Sequence, residues 1–543
     1  MPLHLSNTLT KRDEPFVPLE AGVVTFYTCG PTVYDFAHIG NFRSFLAADA
    51  LRRWLEHPLC ARTNPDGSPE GHAPGEGGYR VTHVMNITDV GHMVDDGALD
   101  GGGDDKMEAA RKRLLEAKKS GTLPASVAEA IDPRDPGAIA DFYAGAFIED
   151  AKVLGIRCAH EAEDDPSLMP RATGHIRAML ELITTLLDKG IAYVAMDGVC
   201  YFDTQKFPDY GALSGNTLDA IRSGAGGRVS SSTQSIKKHP ADFMLWKPDR
   251  THLMRWDPQQ VLDGLPAAIA QRHALNEGYP GWHIECSAMA QERLGERIDL
   301  HSGGEDNIFP HHECEIAQSR CAHGTDRFAT YWFHPRFLQV DGEKMSKSKG
   351  TFFTARDLFA KGFTPGAVRL ELIKTHYRAN ANFTEQSLKD SGRMVERWRR
   401  FVEKGEASEE AGAPDEGVHA AFAQAMDNDL GVGAAIGVVN SWMNQIASPT
   451  RADAQTMRLF DRAFGVLELP AHAPAGLLSV VDTVTDAGGL SDEEIDAKVR
   501  ARTDAKKNKD YAGADAIRDE LTSMGIELTD GPDGTTWTRT ASL

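Results

Sequence analysis

A chain of 543 residues is too long for one hydrophobic core and sets an expectation of three to five domains of roughly 100–200 residues each. The formal net charge of -21 argues against wholesale adhesion to nucleic acid or to anionic membrane while leaving room for a local basic groove, and an apolar fraction of 41% is ample for globular folding. Seven cysteines without framework spacing predict free thiols in a reducing cytosol; no run of about eighteen apolar residues predicts a membrane span, and the opening MPLHLSNTLTKRDEP lacks a signal peptide's apolar core.

The first predicted element is Val23–Tyr27, a run of β-branched and aromatic residues that reads as a buried strand. Gly30 and Pro31 break it. From Phe42 the apolar positions Phe42, Phe45, Leu46, Leu51, Trp54 and Leu55 recur near the helical period, which makes the stretch strand, turn and helix. Unpaired N–H groups and the helix dipole make the start of such a helix an anion site. On the turn stand Cys29 and the string His38-Ile39-Gly40-Asn41, where Gly40 would let a nucleotide lie against the backbone and His38 can hydrogen-bond a phosphate oxygen. Taken alone, that string fits a surface histidine ahead of an ordinary helix cap equally well.

Residues 60–78 are rich in Pro and Gly and read as an exposed loop; Tyr79–Val90 is the next predicted strand, followed by an acidic loop at 95–105 and a charged helix through Lys119. Alternating strands and helices predict a parallel sheet with its ligand crevice at the strands' carboxyl ends, where Cys29 and Asp89 fall. From Asp141 to about Ala270 the pattern changes to helices at 142–154 and 172–189, a strand pair within 192–203 and a loose Gly/Ser stretch at 214–235, the marks of an inserted domain. The α/β pattern resumes with GWHIECSAMAQERLG at 281–295, the strand IDLHSGG at 298–304, and a helix opened by Pro310. Beyond Gly350 the chain reads as helical, and residues 491–543 as a charged helix pair ending in short strands near Ile526 and Thr536. The expected division is 1–140 and 271–340 as two halves of a catalytic α/β domain, 141–270 inserted, 341–388 a loop and stem-contact region, 389–486 a helical bundle, and 487–543 a small terminal domain.

A second chemical signal is GEKMSKSKG at 342–350. Lys344, Lys347 and Lys349 would repel one another unless they met anions such as a triphosphate, although a solvated basic loop has the same composition. In GRMVERWRRF, Arg393, Arg397, Arg399 and Arg400 surround Trp398, a set that suits either a phosphate backbone or the solvated face of a helix.

The pair AHIGN and EKMSKSKG, in that order, resembles the signatures of class I aminoacyl-tRNA synthetases. The strings YTCGPTVYD, NITDV, GWHIECSAM and FPHHECEIAQS and the tail DYAGADAIRDEL…GTTW are similar to those of the cysteinyl-tRNA synthetase family, and the likeness runs nearly end to end. It implies an α/β class I Rossmann-like parallel sheet with an inserted domain, a helical bundle, and a small C-terminal α+β domain that reads the anticodon. It also implies activation of cysteine by ATP with Mg2+, followed by transfer to the 3′-terminal ribose of tRNA(Cys), with no editing domain.

By position in the matching motifs, the resemblance assigns catalytic roles to His38, Lys344 and Lys347, and ATP contacts to these and to Gly40, Asn41, Met345, Ser346 and Ser348. It assigns the amino-acid pocket to Gly30, Thr88, Trp282 and His301, and one zinc ion to Cys29, Cys286, His311 and Glu315. Contacts to tRNA are expected at Arg397, Arg400 and Trp537. Cys29 and Cys286 are expected at the carboxyl ends of neighbouring strands, and His311 and Glu315, four apart on a helix, share a face. Two departures stand out: Asn41 occupies a position that is often His, and His312 and Cys314 adjoin the metal ligands, with Cys314 turned off their stripe. A cytoplasmic monomer is expected. The competing readings are a cysteine ligase acting on an amino-sugar, whose likeness ends before about residue 480, an inactive nucleotide- or RNA-binding paralogue, and a general nucleotidylyltransferase.

Overall fold

The computed structural model describes residues 2–543 apart from 72–75, 92, 96–101, 106–110, 113, 117, 120–130, 133–134, 217, 219–235, 263–274, 346–350, 479–491, 508–509, 511–512, 515–516, 519–520, 522–525, 532–533 and 540–543. Most of the acidic loop at 95–105, part of the helix expected through Lys119 and much of the Gly/Ser stretch at 214–235 therefore lie outside the described residues.

Strand β1 (Val23–Thr28) leads through the turn at 29–38 into α1 (Ile39–Leu55), and β2 (Arg80–Met85) pairs parallel to β1. After α2 (Pro136–Val153) and α3 (Ile176–Asp188), four short strands form an antiparallel sheet: β3 (Ala192–Val194), β4 (Cys200–Phe202), β5 (Phe243–Pro248) and β6 (Gly278–Pro280), adjacent in that order. Helix α4 (Trp282–Leu294) then returns the chain to the first sheet at β7 (Ile298–Ser302), and α5 (Glu313–His323) crosses to β8 (Ala329–Phe333). The resulting order is β8-β7-β1-β2, with every pairing parallel. The chain runs from β1 to one side and comes back on the other, so the β1/β7 boundary is the point where strand order reverses and a crevice opens beyond the strand ends.

Strand β9 (Leu338–Val340) follows, then α6 (Pro365–Ile373), β10 (Ala381–Phe383), which pairs parallel to β9, and the long helix α7 (Glu385–Glu406). With α8 (Glu416–Asp427), α9 (Val432–Met443) and α10 (Arg451–Phe464) it forms a bundle around Trp398, Phe422, Phe460 and Phe464. At the end of the chain, the antiparallel hairpin of β11 (Ile526–Gly531) and β12 (Gly534–Arg539) puts Leu528 opposite Trp537, and Val499 and Leu521 supply a small separate core.

Helix α1 is the axle of the molecule because Arg43, Asp49 and Arg52 are buried on it and reach distant segments. Arg43 donates to the carbonyls of Arg336, Leu372, His376 and Ala379, at 2.8–3.2 Å. Asp49 accepts from Arg53 (2.6 Å), Arg369 (2.5 Å) and the Arg157 backbone (2.8 Å). Burial alone would raise the Asp49 carboxyl, but the Arg53 and Arg369 guanidinium groups hold it well below the usual carboxylate range. Removing one partner of such a buried pair costs about 3–5 kcal/mol, which is how α1 ties the sheet to the helical region.

Candidate active site and metal centre

The turn after β1 is shaped by close backbone approach. Gly30 donates to Asn86 Oδ1 at 2.9 Å, and a Cβ at Gly30 would stand 1.8 Å from the Asn86 carbonyl oxygen, so no side chain fits. Asn86 is held in turn by Thr88, whose hydroxyl accepts from Asn86 Nδ2 at 3.2 Å and donates to Glu285 Oε2 at 3.0 Å. Thr88 is also bridged directly to the turn, its N–H donating to the Pro31 carbonyl and its carbonyl accepting from Val33, both at 3.0 Å, while its side chain reaches Gly30 through Asn86.

At the other end of the turn, His38 and Asn41 form a reciprocal cap. His38 Nδ1 accepts the Asn41 backbone N–H at 3.1 Å, and Asn41 Oδ1 accepts the His38 N–H at 3.1 Å. With Nδ1 accepting, the neutral imidazole carries its proton on Nε2. A Cβ at Gly40 would lie 2.3 Å from Met345 Cε and 2.9 Å from His38 Nδ1. Past the lysine-rich loop the chain is bridged back onto this cap, with Ile39 N–H donating to the Phe353 carbonyl at 2.9 Å and the Phe352 ring edge-on to His38 at 5.2 Å. The helix thus begins three residues before the apolar positions read from the sequence, because its first turn is fixed by the cap and by the fully buried Ile39.

A cleft of about 550 Å³ opens over this turn, with Cys29, Gly30, His38, Gly40, Asn41, Trp282 and Met345 on its walls. Asp306, Asn307 and Arg336, which the sequence did not single out, line it as well. Lys344 is placed by its backbone on the short strand Glu343–Lys344, paired antiparallel to β9, while Ser346, Lys347 and Ser348 lie outside the described residues.

At Cys29 four donors from three segments converge. Cys29 Sγ lies 3.5 Å from Cys286 Sγ, 3.5 Å from His311 Nε2 and 3.4 Å from Glu315 Oε1, and the last two are 3.1 Å apart. All four residues are buried. The edges of a tetrahedral zinc site with two sulfurs measure roughly 3.4–3.8 Å, so this cluster has the spacing as well as the chemistry of a metal centre. Burial pushes the Cys29 thiol well above its ordinary range, with the Cys286 thiol and the Glu315 carboxylate adding to the rise; Cys286 is raised for the same first reason. A dication reverses that balance, since a coordinating thiol is deprotonated outright.

Cys286 does not sit at a strand end as expected. It lies on the second turn of α4, which follows Gly281 and is buried on every side over residues 283–290. Trp282, at the start of the same helix, stacks on the His311 ring at 4.1 Å and so forms a wall shared by cleft and cluster. His301 is buried on the far side of the cluster, where its Nε2 donates to Glu315 Oε2 at 3.0 Å. His312 Nε2 is 3.3 Å from Cys29 Sγ, and Cys29, His301, His312 and Glu315 make a second, overlapping donor set. His312 is, however, engaged through Nδ1 by His334 at 2.7 Å, and burial together with the surrounding imidazoles holds it well below the ordinary histidine range. His283 faces His311 with Nδ1 atoms 3.0 Å apart. Sequence reasoning passed over His283 and His334, since neither belongs to a ligand spacing; the first stands inside the quoted string GWHIEC. Cys314 turns away from the cluster, 3.4 Å from the Tyr210 hydroxyl.

The residues expected to meet tRNA divide. Trp398 is fully buried, with its Nε1 donating to Asn440 at 3.0 Å, and Arg399 is tied to the carbonyls of Val466 and Leu469, so these two serve the bundle rather than a nucleic-acid face. Arg393 pairs with Asp390. Arg397 and Arg400 are exposed, Arg397 reaching Asn444 at 2.6 Å. Trp537 is on strand β12.

A parallel sheet reversed at β1, a capped helix facing the cleft and a segment at 352–354 bridged onto that cap fit the catalytic fold of a class I aminoacyl-tRNA synthetase. Residues 15–61 and 74–393 match the model of the tRNA synthetases class I (C) catalytic domain, and 489–537 match the cysteinyl-tRNA ligase anticodon binding domain. The chain is 39% identical to a cysteine–tRNA ligase of Salinibacter ruber, covering 98% of both chains, and 36% identical to that of Alkalilimnicola ehrlichii, covering 99% of this chain and all of the relative. It belongs to the cysteine–tRNA ligase family. Among solved structures, the LeuRS–tRNA–LeuAMS ternary complex from Agrobacterium radiobacter covers 87% of each chain at 13% identity with a TM-score of 0.51, a likeness of fold alone. The match at 489–537 disfavours the amino-sugar ligase, whose likeness stops short of that segment.

Proposed function

We propose that the protein is a cysteine–tRNA ligase that joins cysteine to AMP and then to tRNA(Cys), with zinc held by Cys29, Cys286, His311 and Glu315. The observation that carries this reading is the double position of Cys29: its Sγ stands within 3.5 Å of three other donors, and the same residue lines the cleft that holds His38 and Gly40. A ligand seated on the capped turn thus has its amino-acid end beside the donor cluster.

Bound zinc would hold the substrate thiol as thiolate and prefer it to a hydroxyl, a distinction that shape alone supports by only about 1–3 kcal/mol. That selectivity makes a separate editing domain unnecessary. The remaining chemistry belongs to the chain and to ATP with its Mg2+. Gly40 leaves room for the nucleotide against the backbone, and the start of α1 offers partial positive charge to phosphate. His38, its proton on Nε2, donates to phosphoryl oxygens, while Lys344 and Lys347 neutralise the triphosphate. Asn41, Met345, Ser346 and Ser348 complete the nucleotide site, and Gly30, Thr88, Trp282 and His301 shape or support the amino-acid end.

The cysteine carboxylate attacks the α-phosphorus in line and pyrophosphate leaves; positioned donors lower this barrier because charge grows on the phosphoryl oxygens. The terminal ribose hydroxyl of tRNA then attacks the carbonyl of the adenylate and AMP departs. Arg397 and Arg400 contact the tRNA backbone, and Trp537, in the matched anticodon-binding segment, stacks on a base. No helix among the described residues is long and apolar enough to cross a membrane, and we assign the enzyme to the cytoplasm as a monomer. The test is to offer the purified enzyme cysteine, ATP and either tRNA or an amino-sugar acceptor. Acylation of tRNA(Cys) is expected; acylation of the amino-sugar alone would overturn the assignment.

A further inference from the structure

The helix that carries Glu315 begins irregularly. Phe309 is extended (φ -141, ψ 132) within the turn at 308–312, and α5 has no side-chain cap at its N-terminus. His311 and Glu315 are therefore set on a first turn that local helix geometry does not fix by itself. One set of contacts on that turn comes from the inserted domain. The segment Phe207–Ser214, between β4 and β5, lies along the side of α5 away from the donor cluster and grips it at three points.

Nearest the metal site, Ser214 donates both its backbone N–H (2.9 Å) and its hydroxyl (2.8 Å) to Glu313 Oε2. One residue on, the Tyr210 hydroxyl stands 3.4 Å from Cys314 Sγ. Two turns further along, Arg320 donates to Asp209 at 2.8 Å and lies over the Phe207 ring at 4.9 Å. Glu313, Cys314 and Glu315 are all fully buried. At about 100° per residue, Glu313 points roughly 200° away from Glu315, so strap and cluster hold opposite sides of one helical turn. Glu313 Oε1 is buried without a hydrogen-bond partner among the described residues, which leaves the Ser214 pair as the contacts that satisfy this carboxylate.

We propose that Ser214 and Tyr210 are positioning residues for the metal centre, and that the strap Phe207–Ser214 is the device by which the inserted domain sets the reach of His311 and Glu315 toward Cys29 and Cys286. The inference rests on the metal-binding reading of that cluster. Groups that orient metal ligands change metal affinity by about 10–100-fold when removed, although they never touch the ion. Losing the Ser214 hydroxyl leaves Glu313 with one donor and frees the first turn of α5 to shift, which opens the site without altering any of the four ligands.

The test uses the full-length, zinc-loaded enzyme and follows zinc transfer to a colorimetric chelator, alongside the melting temperature and the cysteine-over-serine ratio in ATP–pyrophosphate exchange. Ser214→Ala is expected to release zinc roughly tenfold faster or more than wild type, to raise KM for cysteine more than it lowers kcat, and to keep its fold; Ser214→Thr, which retains the hydroxyl, restores slow release. Tyr210→Phe, which removes one oxygen and leaves the ring, is expected to move release in the same direction by less. Wild-type release rates in both Ser214→Ala and Tyr210→Phe overturn the strap alone. A wild-type enzyme that binds no zinc overturns the metal reading and the strap together.

Discussion

His38 and Asn41 cap the same helix end from both sides, each accepting the other's backbone N–H at 3.1 Å. The asparagine that departs from the commoner signature therefore acts as a structural clamp on the histidine, fixing which ring nitrogen carries the proton. Separate substitutions distinguish cap from chemistry. His38→Asn keeps an acceptor at a favoured capping residue and should melt near wild type, while ATP–pyrophosphate exchange falls about 100-fold or more through loss of the phosphoryl donor. Asn41→Ala should lower stability by about 1 kcal/mol and reduce exchange less, because His38 Nε2 is still present.

Asp427 offers a pH signature unrelated to catalysis. Burial raises its carboxyl to about 7, against the opposing effect of the Trp54 indole N–H, 3.0 Å from Oδ1. A carboxyl that holds its proton more tightly folded than unfolded loses stability as pH rises from the ordinary carboxylate range toward 7, and the loss levels off above that. Asp427→Asn keeps an acceptor for Trp54 without the titration. Relative to wild type it should gain about 2–4 kcal/mol between pH 4 and pH 8, read by chemical denaturation at the two pH values; a parallel pH dependence in both proteins would exclude this origin.

The expected tRNA face now rests on exposed arginines rather than on Trp398. Arg397→Ala and Arg400→Ala should each raise KM for tRNA and lower the steepness of its salt dependence by about one, with ATP–pyrophosphate exchange unchanged. Unaltered salt dependence of charging would move the tRNA contact elsewhere.

Cutting the chain after Gly489 removes the segment matched to the anticodon-binding family. Adenylate formation should persist while tRNA charging falls severely, measured on the same preparation by pyrophosphate exchange and by acylation. Equal charging would make the tail a structural appendage.

How much of this was legible in the sequence depended on whether the signal was local. The strand, turn and helix around Cys29 follow from β-branched residues, Gly30-Pro31 and the 3.6-residue period, and the structure keeps them with a boundary moved by the cap. The donor cluster carries no such local pattern: Cys29 and Cys286 meet across 257 residues of chain, and only the family resemblance joined them. Cys286 is on a helix rather than a strand end, and no amphipathic period marked that helix because residues 283–290 are buried on every side. Trp398 was legible in principle. Leu388, Val395, Trp398 and Val402 recur at helical spacing on one buried stripe, and the adjacent arginines drew the aromatic toward nucleic acid instead. The contacts of Ser214 with α5 were not legible, since Ser214 and Glu313 are 99 residues apart and share no local pattern.

The measurement that bears most directly on selection of sulfur by a bound cation is cysteine-dependent ATP–pyrophosphate exchange by enzyme stripped of metal with a chelator, dialysed, and then given zinc. Exchange should disappear with the metal and return with one zinc per chain, together with preference for cysteine over serine. Undiminished, cysteine-specific exchange by metal-free enzyme would contradict the account.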